Sequence, residues 1–315
     1  MTTPAIRIDG VNKRFGSTHA VRDLDLIVPS GSICGFLGPN GAGKSTTIRM
    51  IMSIIYPDSG SIEVLGSGAL ANKDRIGYLP EERGVYRKMR VGEFLRYIAR
   101  LKGVPKAGLK QRIEDWLERV DLPGVQHKRC QELSKGMQQK VQVLVSVINE
   151  PELIILDEPF SGLDPVNADL VTRLIRELND RGRTIIFSTH VLPQAEQICD
   201  RFFLINRGRK LLDAPLDEIR ERFDPRTILV EPLNGAPPNL DVPGVARTRP
   251  RDDAIEIELT SDADPHGVME AVLRQGPLRS IQRRRLTLEE VFVRLVQSDE
   301  GEEAAAAARA ALHEM

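Results

Sequence analysis

Apolar and polar residues alternate from Ile6 to Val11 and again from Leu24 to Val28, the two-residue period of strands with one buried face. Ser32 to Leu37 is a more continuous apolar run, and a glycine-rich turn follows it. From Lys44 to Ile55 the period changes, with Ile48, Ile51, Met52 and Ile55 at helical spacing. Arg75 to Leu79 predicts a short strand that stops at Pro80, and residues 90–149 read as mainly helical. Leu153–Leu156 and Thr184–Phe187 predict short buried strands, with a long amphipathic helix over about 166–180 between them. Phe202–Ile205 and Lys210–Leu212 predict two more strands. Strands that alternate with helices predict a largely parallel sheet covered on both faces.

The composition shifts after about residue 225. Glu231–Gly244 is rich in Pro, Gly and Asn and reads as a loop. Around it lie strands at Thr227–Val230, Ala254–Leu259 and 278–286, a helix at 265–275 and a helix that starts at Thr287. Glu290, three residues after Thr287, completes a capping box. The expectation is a first domain over 1–225, a small β-rich α/β domain over 226–297 and a polar Ala-rich tail over 298–315. The tail sequence GEEAAAAARAALHEM has high helix propensity and little apolar face, so it reads as a solvated helix.

Composition narrows the class. With 315 residues, 41% hydrophobic and 28% charged, the chain is long enough for two globular domains. Lys+Arg number 44 and Asp+Glu 45, so the overall field does not favour nucleic acid. The Arg283-Arg284-Arg285 run sits among 8 basic and 7 acidic side chains over residues 245–286, a balanced solvated surface. Cys34, Cys130 and Cys199 form no zinc or disulfide pattern, as expected in a reducing compartment. The longest apolar stretch, Val141–Ile148, is broken by Gln142 and Ser146 and is far shorter than the roughly 20 residues of a membrane span. MTTPAIRIDG lacks the apolar region of a signal peptide. A membrane role is therefore expected to come through a partner.

Gly38-Pro39-Asn40-Gly41-Ala42-Gly43-Lys44-Ser45 matches G-x-x-x-x-G-K-[ST] between an apolar strand and a helix. Glycines let backbone N–H groups wrap a phosphate, and the helix N-terminus adds positive potential. Lys44 reaches β/γ-phosphates and the Ser45 hydroxyl can hold Mg²⁺. The loop alone leaves GTPase, small kinase and ATPase open, although Asn72-Lys73-Asp74-Arg75 has Arg where a guanine-reading motif needs Asp.

Later segments narrow this choice. Leu153–Leu156 runs into Asp157 and Glu158, which puts one carboxylate where it can hold Mg²⁺ and a second where it can polarise water. Pro159-Phe160-Ser161-Gly162-Leu163-Asp164 follows, and Ser188-Thr189-His190 ends the next strand. Between them Leu133-Ser134-Lys135-Gly136-Met137-Gln138 opens a helix with Ser134 as its natural N-cap. Met137, Val141, Leu144, Val145 and Ile148 line one face of that helix.

In order and spacing, these segments resemble the nucleotide-binding subunit of ATP-binding cassette (ABC) transporters over about residues 4–220. The resemblance implies an α/β fold: a P-loop ABC ATPase core with a parallel sheet, an antiparallel β subdomain and a helical subdomain at about 83–150, plus the small C-terminal α/β domain. It implies ATP and Mg²⁺ as cofactors and ATP hydrolysis as the activity. It makes Gly38, Pro39, Asn40, Gly41, Ala42, Gly43, Lys44, Ser45 and Thr46 the phosphate cradle, with Phe15 against adenine. Ser45, Asp157 and Glu81 become metal ligands, and Lys44, Glu158 and His190 the catalytic set. Ser134 and Gly136 of the signature and Asp164 of the D-loop would serve the nucleotide of a second copy or a similar subunit stacked head to tail. Integral membrane permease subunits are the implied partners, which sets the chain on the inner, cytoplasmic face of the cell membrane, and no nucleic acid is implied.

Two departures matter. Glu81 stands where the family usually has Gln, and the signature carries Lys135 and Met137 where Gly and Gln are common. With the appended domain, they resemble the sodium-efflux and antibiotic-export branch. A soluble ABC-type ATPase of the DNA-repair kind would carry a coiled-coil or zinc insertion, and a translation-factor type would carry two cassettes. A regulatory module without turnover would not need Glu158 and His190.

Overall fold

The computed structural model describes residues 3–82, 84–233, 240–251 and 253–301. The described residues form two compact units, one of those up to Leu216 together with those from Phe292, the other of those within Asp217–Val291.

The first unit opens with β1 (Ile6–Phe15) and β2 (Thr18–Val28) as an antiparallel hairpin. β3 (Ile33–Leu37), buried at all five positions, runs through the glycine loop into α1 (Lys44–Ile51). β4 (Ser59–Val64) returns to pair with β1, giving a three-stranded antiparallel sheet of order β2-β1-β4. β5 (Ile76–Leu79) precedes the helical segment of α2 (Val91–Leu101), α3 (Leu109–Arg119) and α4 (Lys135–Val147). The chain then alternates through β6 (Leu153–Asp157), α5 (Pro165–Asp180), β7 (Thr184–Thr189), α6 (Leu192–Ile198), β8 (Arg201–Asn206) and β9 (Arg209–Pro215).

These strands make a six-stranded sheet of order β5-β6-β7-β3-β8-β9, parallel except for the β8–β9 pair. Between the two sheets lies the main core, with Ile8, Leu26, Phe36, Ile48, Ile155 and Phe203 among its members. Each such side chain contributes roughly 1.5–3 kcal/mol by leaving water. Gly77 lets α4 press on β5, since a Cβ there would lie 2.0 Å from the Ser146 carbonyl oxygen.

In the second unit, α7 (Leu216–Arg222) leads to β10 (Thr227–Pro232), β11 (Val245–Arg251), β12 (Ala254–Leu259), α8 (Pro265–Leu273) and β13 (Leu278–Arg283). They form an antiparallel sheet of order β11-β12-β10-β13. Its own core includes Ile228, Val230, Ile257, Leu259, Val268 and Val272. α9 (Leu288–Glu300) starts at the expected capping box, with Glu290 N–H donating to Thr287 Oγ1 at 3.2 Å and Thr287 N–H to Glu290 Oε2 at 3.0 Å.

The structure departs from the pattern in several places. α1 stops at Ile51, not Ile55, because Ser53 takes a left-handed φ of 55°. α4 is buried well beyond one apolar face: Gln139 donates to Pro159 O at 3.1 Å and Lys140 to Val120 O at 3.0 Å, so its buried polar residues are satisfied. β4, α6, α7 and β11 carried no clear period, and the strand expected at 278–286 ends at Arg283. The tail from 302 to 315 and residues 234–239 of the expected loop lie outside the described residues.

Candidate functional site

Parallel pairing aligns the carboxyl ends of the central strands, with Leu37 opposite Thr189 and Asp157 opposite Ser188. The residues that follow β3, β6 and β7 therefore meet at one edge of the sheet, where open α/β sheets bind ligands. In the loop after β3, Gly38, Gly41 and Gly43 have φ of 152°, 77° and 106°. Two of these glycines are also pressed from behind. A Cβ on Gly38 would lie 2.1 Å from Ile205 O, and one on Gly43 2.5 Å from Ala20 O.

Lys44 is buried, and its Nζ donates to Gly38 O at 2.7 Å and Pro39 O at 3.2 Å while lying 3.6 Å from Glu158 Oε1. Burial pushes its ammonium below the usual lysine range, and Glu158, Asp157 and Glu81 oppose that shift. Asp157 Oδ1 accepts from Ser188 Oγ and, at 3.2 Å, from Ser45 Oγ. Desolvation holds the Asp157 carboxyl above its ordinary value, despite those two bonds and with help from the charges of Glu81 and Glu158. Glu81 Oε2 accepts from the same Ser45 hydroxyl at 3.4 Å.

Glu158 sits just past the strand with a left-handed φ of 49°. Its N–H donates to Ser188 O at 3.2 Å and Ser188 Oγ at 3.1 Å, which turns its side chain toward Lys44 and His190. His190 Nδ1 is 3.0 Å from Glu158 Oε1. Asp157 Oδ2 and His190 Nε2 are buried with no protein partner. Buried unpaired polar atoms are unfavourable, so these two have capacity for a further partner. An oxygen-rich set of Ser45, Asp157 and Glu81 fits a hard cation such as Mg²⁺. No group of three His, Cys, Asp or Glu that could hold a metal ion lies among the described residues.

A cavity of about 510 Å³ opens here, walled by Asn40–Thr46, with Glu81 and Glu158 also on its lining. Another wall, Ser17–Ala20, Arg22, Arg207 and Gly208, was not anticipated from sequence. No motif marks those residues. Phe15, at the end of β1, is 50% exposed with the Lys13 ammonium 5.5 Å from its ring centre, so it is not the core residue its hydrophobicity suggests. Phe15, Gly38 and Pro39 are not on the cavity lining.

Ser134, Gly136 and Asp164 do not line this cavity either. Ser134 caps α4 by accepting from Met137 N–H at 3.2 Å. Asp164 caps α5, accepting from Asn167 N–H at 2.9 Å and Nδ2 at 2.5 Å. A Cβ on Gly136 would sit 3.6 Å from that Asn167 Nδ2, so the start of α4 and the start of α5 share one surface patch.

A match to the ABC transporter family covers residues 21–161. A second, to the ATP-binding protein DrrA1-3-like, C-terminal domain, covers residues 215–296. The chain is 35% identical over 294 residues to the uncharacterized ABC transporter ATP-binding protein YhaQ of Bacillus subtilis (strain 168), covering 92% of this chain and 98% of that one. It is 37% identical over 305 residues to the Nod factor export ATP-binding protein I of Rhizobium sp. (strain N33), covering 94% and 98%. A solved structure of an ATP binding subunit of an ABC transporter superposes with a TM-score of 0.65 at 31% identity, over 70% of this chain and 93% of that chain.

Proposed function

Because this chain belongs to the ABC transporter ATP-binding proteins, ATPases that power transport, we propose that it drives export through a membrane-embedded permease, with ATP held between two stacked subunits. The observation that carries this reading is the Glu158 carboxylate at 3.0 Å from His190 and 3.6 Å from Lys44, beside buried atoms with capacity for a further partner.

Lys44 donates to two loop carbonyls and lies 3.6 Å from Glu158 Oε1. The β/γ-phosphates are stronger partners, so Lys44 turns to them and releases Glu158. Glu158 then holds the attacking water and draws its proton. His190, whose Nδ1 lies 3.0 Å from Glu158 Oε1, has its other ring nitrogen, Nε2, for the γ-phosphate. Ser45, Asp157 and Glu81 are the residues for Mg²⁺, which when bound neutralises charge on the phosphate oxygens.

The patch of Ser134, Gly136 and Asp164 is the surface for the nucleotide of the partner subunit, a second copy or a similar chain. The start of α4 presents that anion with the positive end of the helix dipole. No helix among the described residues is long and apolar enough to cross a membrane. Permease subunits then supply the spans, and the chain works at the cytoplasmic face of the membrane. Export is favoured by the Nod factor export relative and the DrrA-like C-terminal match. A soluble ABC-type ATPase uncoupled from transport is the less favoured reading.

Glu158→Gln tests the proposal. Hydrolysis should fall by roughly 10²–10⁴, the worth of a positioned base, while ATP binding persists. Size-exclusion chromatography with Mg²⁺ and ATP should then show a dimer in the variant and less of one in the wild type. Normal hydrolysis, or no dimer, contradicts the scheme.

A further inference from the structure

One wall of the nucleotide cavity comes from outside every motif: His19 and Arg22 on β2, and Arg207 in the turn between β8 and β9. This wall is tied to the phosphate loop. Gly208 N–H donates to Ala42 O at 2.9 Å, and Arg22 N–H donates to Gly208 O at 2.8 Å. Gly43 and Gly208 approach Ala20 O so closely that a Cβ on either would lie 2.5 or 2.7 Å away.

His19 is half-buried, and its Nε2 lies 3.1 Å from Asn12 Oδ1. The Asn12 amide is fixed: its Nδ2 donates to Asp23 Oδ1 at 2.8 Å and Gly10 O at 3.3 Å, and its Oδ1 accepts from Asp23 N–H at 3.1 Å. Oδ1 is thus an acceptor, and the His19 proton sits on Nε2, leaving Nδ1 as a bare lone pair. Burial first, then Arg14 on β1 and Arg22 on β2, with Arg209 on β9, hold the imidazole below its ordinary range; Asp23 pulls the other way. Lys44 and Arg207 add further positive charge to the same cavity. The surroundings of the ring therefore favour its neutral form.

We propose that His19 is a nucleotide-binding residue that takes up one proton from solvent at Nδ1 when the polyphosphate enters, so that affinity rises as pH falls. This rests on the reading that the cavity takes ATP. A polyanion outweighs the repulsion from the neighbouring arginines and stabilises the imidazolium. By linkage, whatever raises the proton affinity of His19 on binding raises nucleotide affinity equally at acidic pH. Each pKa unit gained on binding is worth about tenfold in affinity across the window between the free and bound values.

Calorimetric titration with ADP, which avoids turnover, distinguishes the possibilities. Wild type, His19→Gln and His19→Arg are compared between pH 6 and pH 8.5 in buffers of unlike ionisation heat. Wild type should take up more protons than His19→Gln, and its affinity advantage should grow from near one at the alkaline end to about tenfold at the acid end. His19→Arg, with a fixed charge, should bind tightly throughout without the extra uptake. Equal proton uptake and parallel affinity profiles for wild type and His19→Gln overturn the role of His19. A wild type that binds no ADP at any pH overturns the reading of the cavity itself.

Discussion

Ser188→Ala removes one hydroxyl that serves two site residues. Ser188 is fully buried, its Oγ donates to Asp157 Oδ1, and it accepts the Glu158 N–H at 3.1 Å. A hydrogen bond to a charged group contributes about 1.5–3 kcal/mol, and here the acceptor is a buried carboxylate. At roughly 2–4 °C per kcal/mol for a domain of this size, the melting temperature should drop by about 3–12 °C. The sign of the pH dependence follows from Asp157, whose carboxyl already titrates above the ordinary value of 3.8 when folded. Between the unfolded and folded values the native state binds more protons, so stability falls as pH rises through that window. Losing the Ser188 bond raises the folded value further and widens the window. The deficit of the variant should therefore be larger at pH 8 than near pH 4. Melting followed by circular dichroism at several pH values reads this directly. A deficit independent of pH, or none, refutes the assignment of the Ser188 bond to an ionised Asp157.

Glu81→Gln replaces a charged oxygen ligand beside Ser45 with a neutral one, so the ATPase rate of the wild type should depend more steeply on Mg²⁺ in a titration at fixed ATP; superimposable curves would remove Glu81 from the metal. Ser134→Arg should leave nucleotide binding intact, because Ser134 does not line its own cavity, yet abolish hydrolysis. Mixed with Lys44→Ala it should recover part of the activity, since in a head-to-tail pair both lesions fall on one of the two composite sites; hydrolysis by Ser134→Arg alone would exclude action across the interface.

Local pattern determined most of the first unit. The two-residue period marked β1 and β2, short continuous apolar runs marked β3 and β6, the change to helical spacing marked α1, and the glycine loop declared itself because three of its residues need positive φ. Ser134 and the pair Thr287 and Glu290 cap the helices their spacing announced. β11 stayed hidden because VARTRPR is an exposed edge strand whose polar residues and Pro250 carry no alternation. α4 hid its buried Gln139 and Lys140 because polar side chains are buried only where distant carbonyls accept from them, and sequence spacing says nothing of those carbonyls. The same holds at the site. Lys44, Asp157, Glu158 and His190 were legible one at a time, but parallel register is what sets three strand ends side by side. His19 and Arg22 had no signal at all: they enter the cavity because the β1–β2 hairpin and the β8–β9 turn lock onto the phosphate loop, a contact made only by the folded chain.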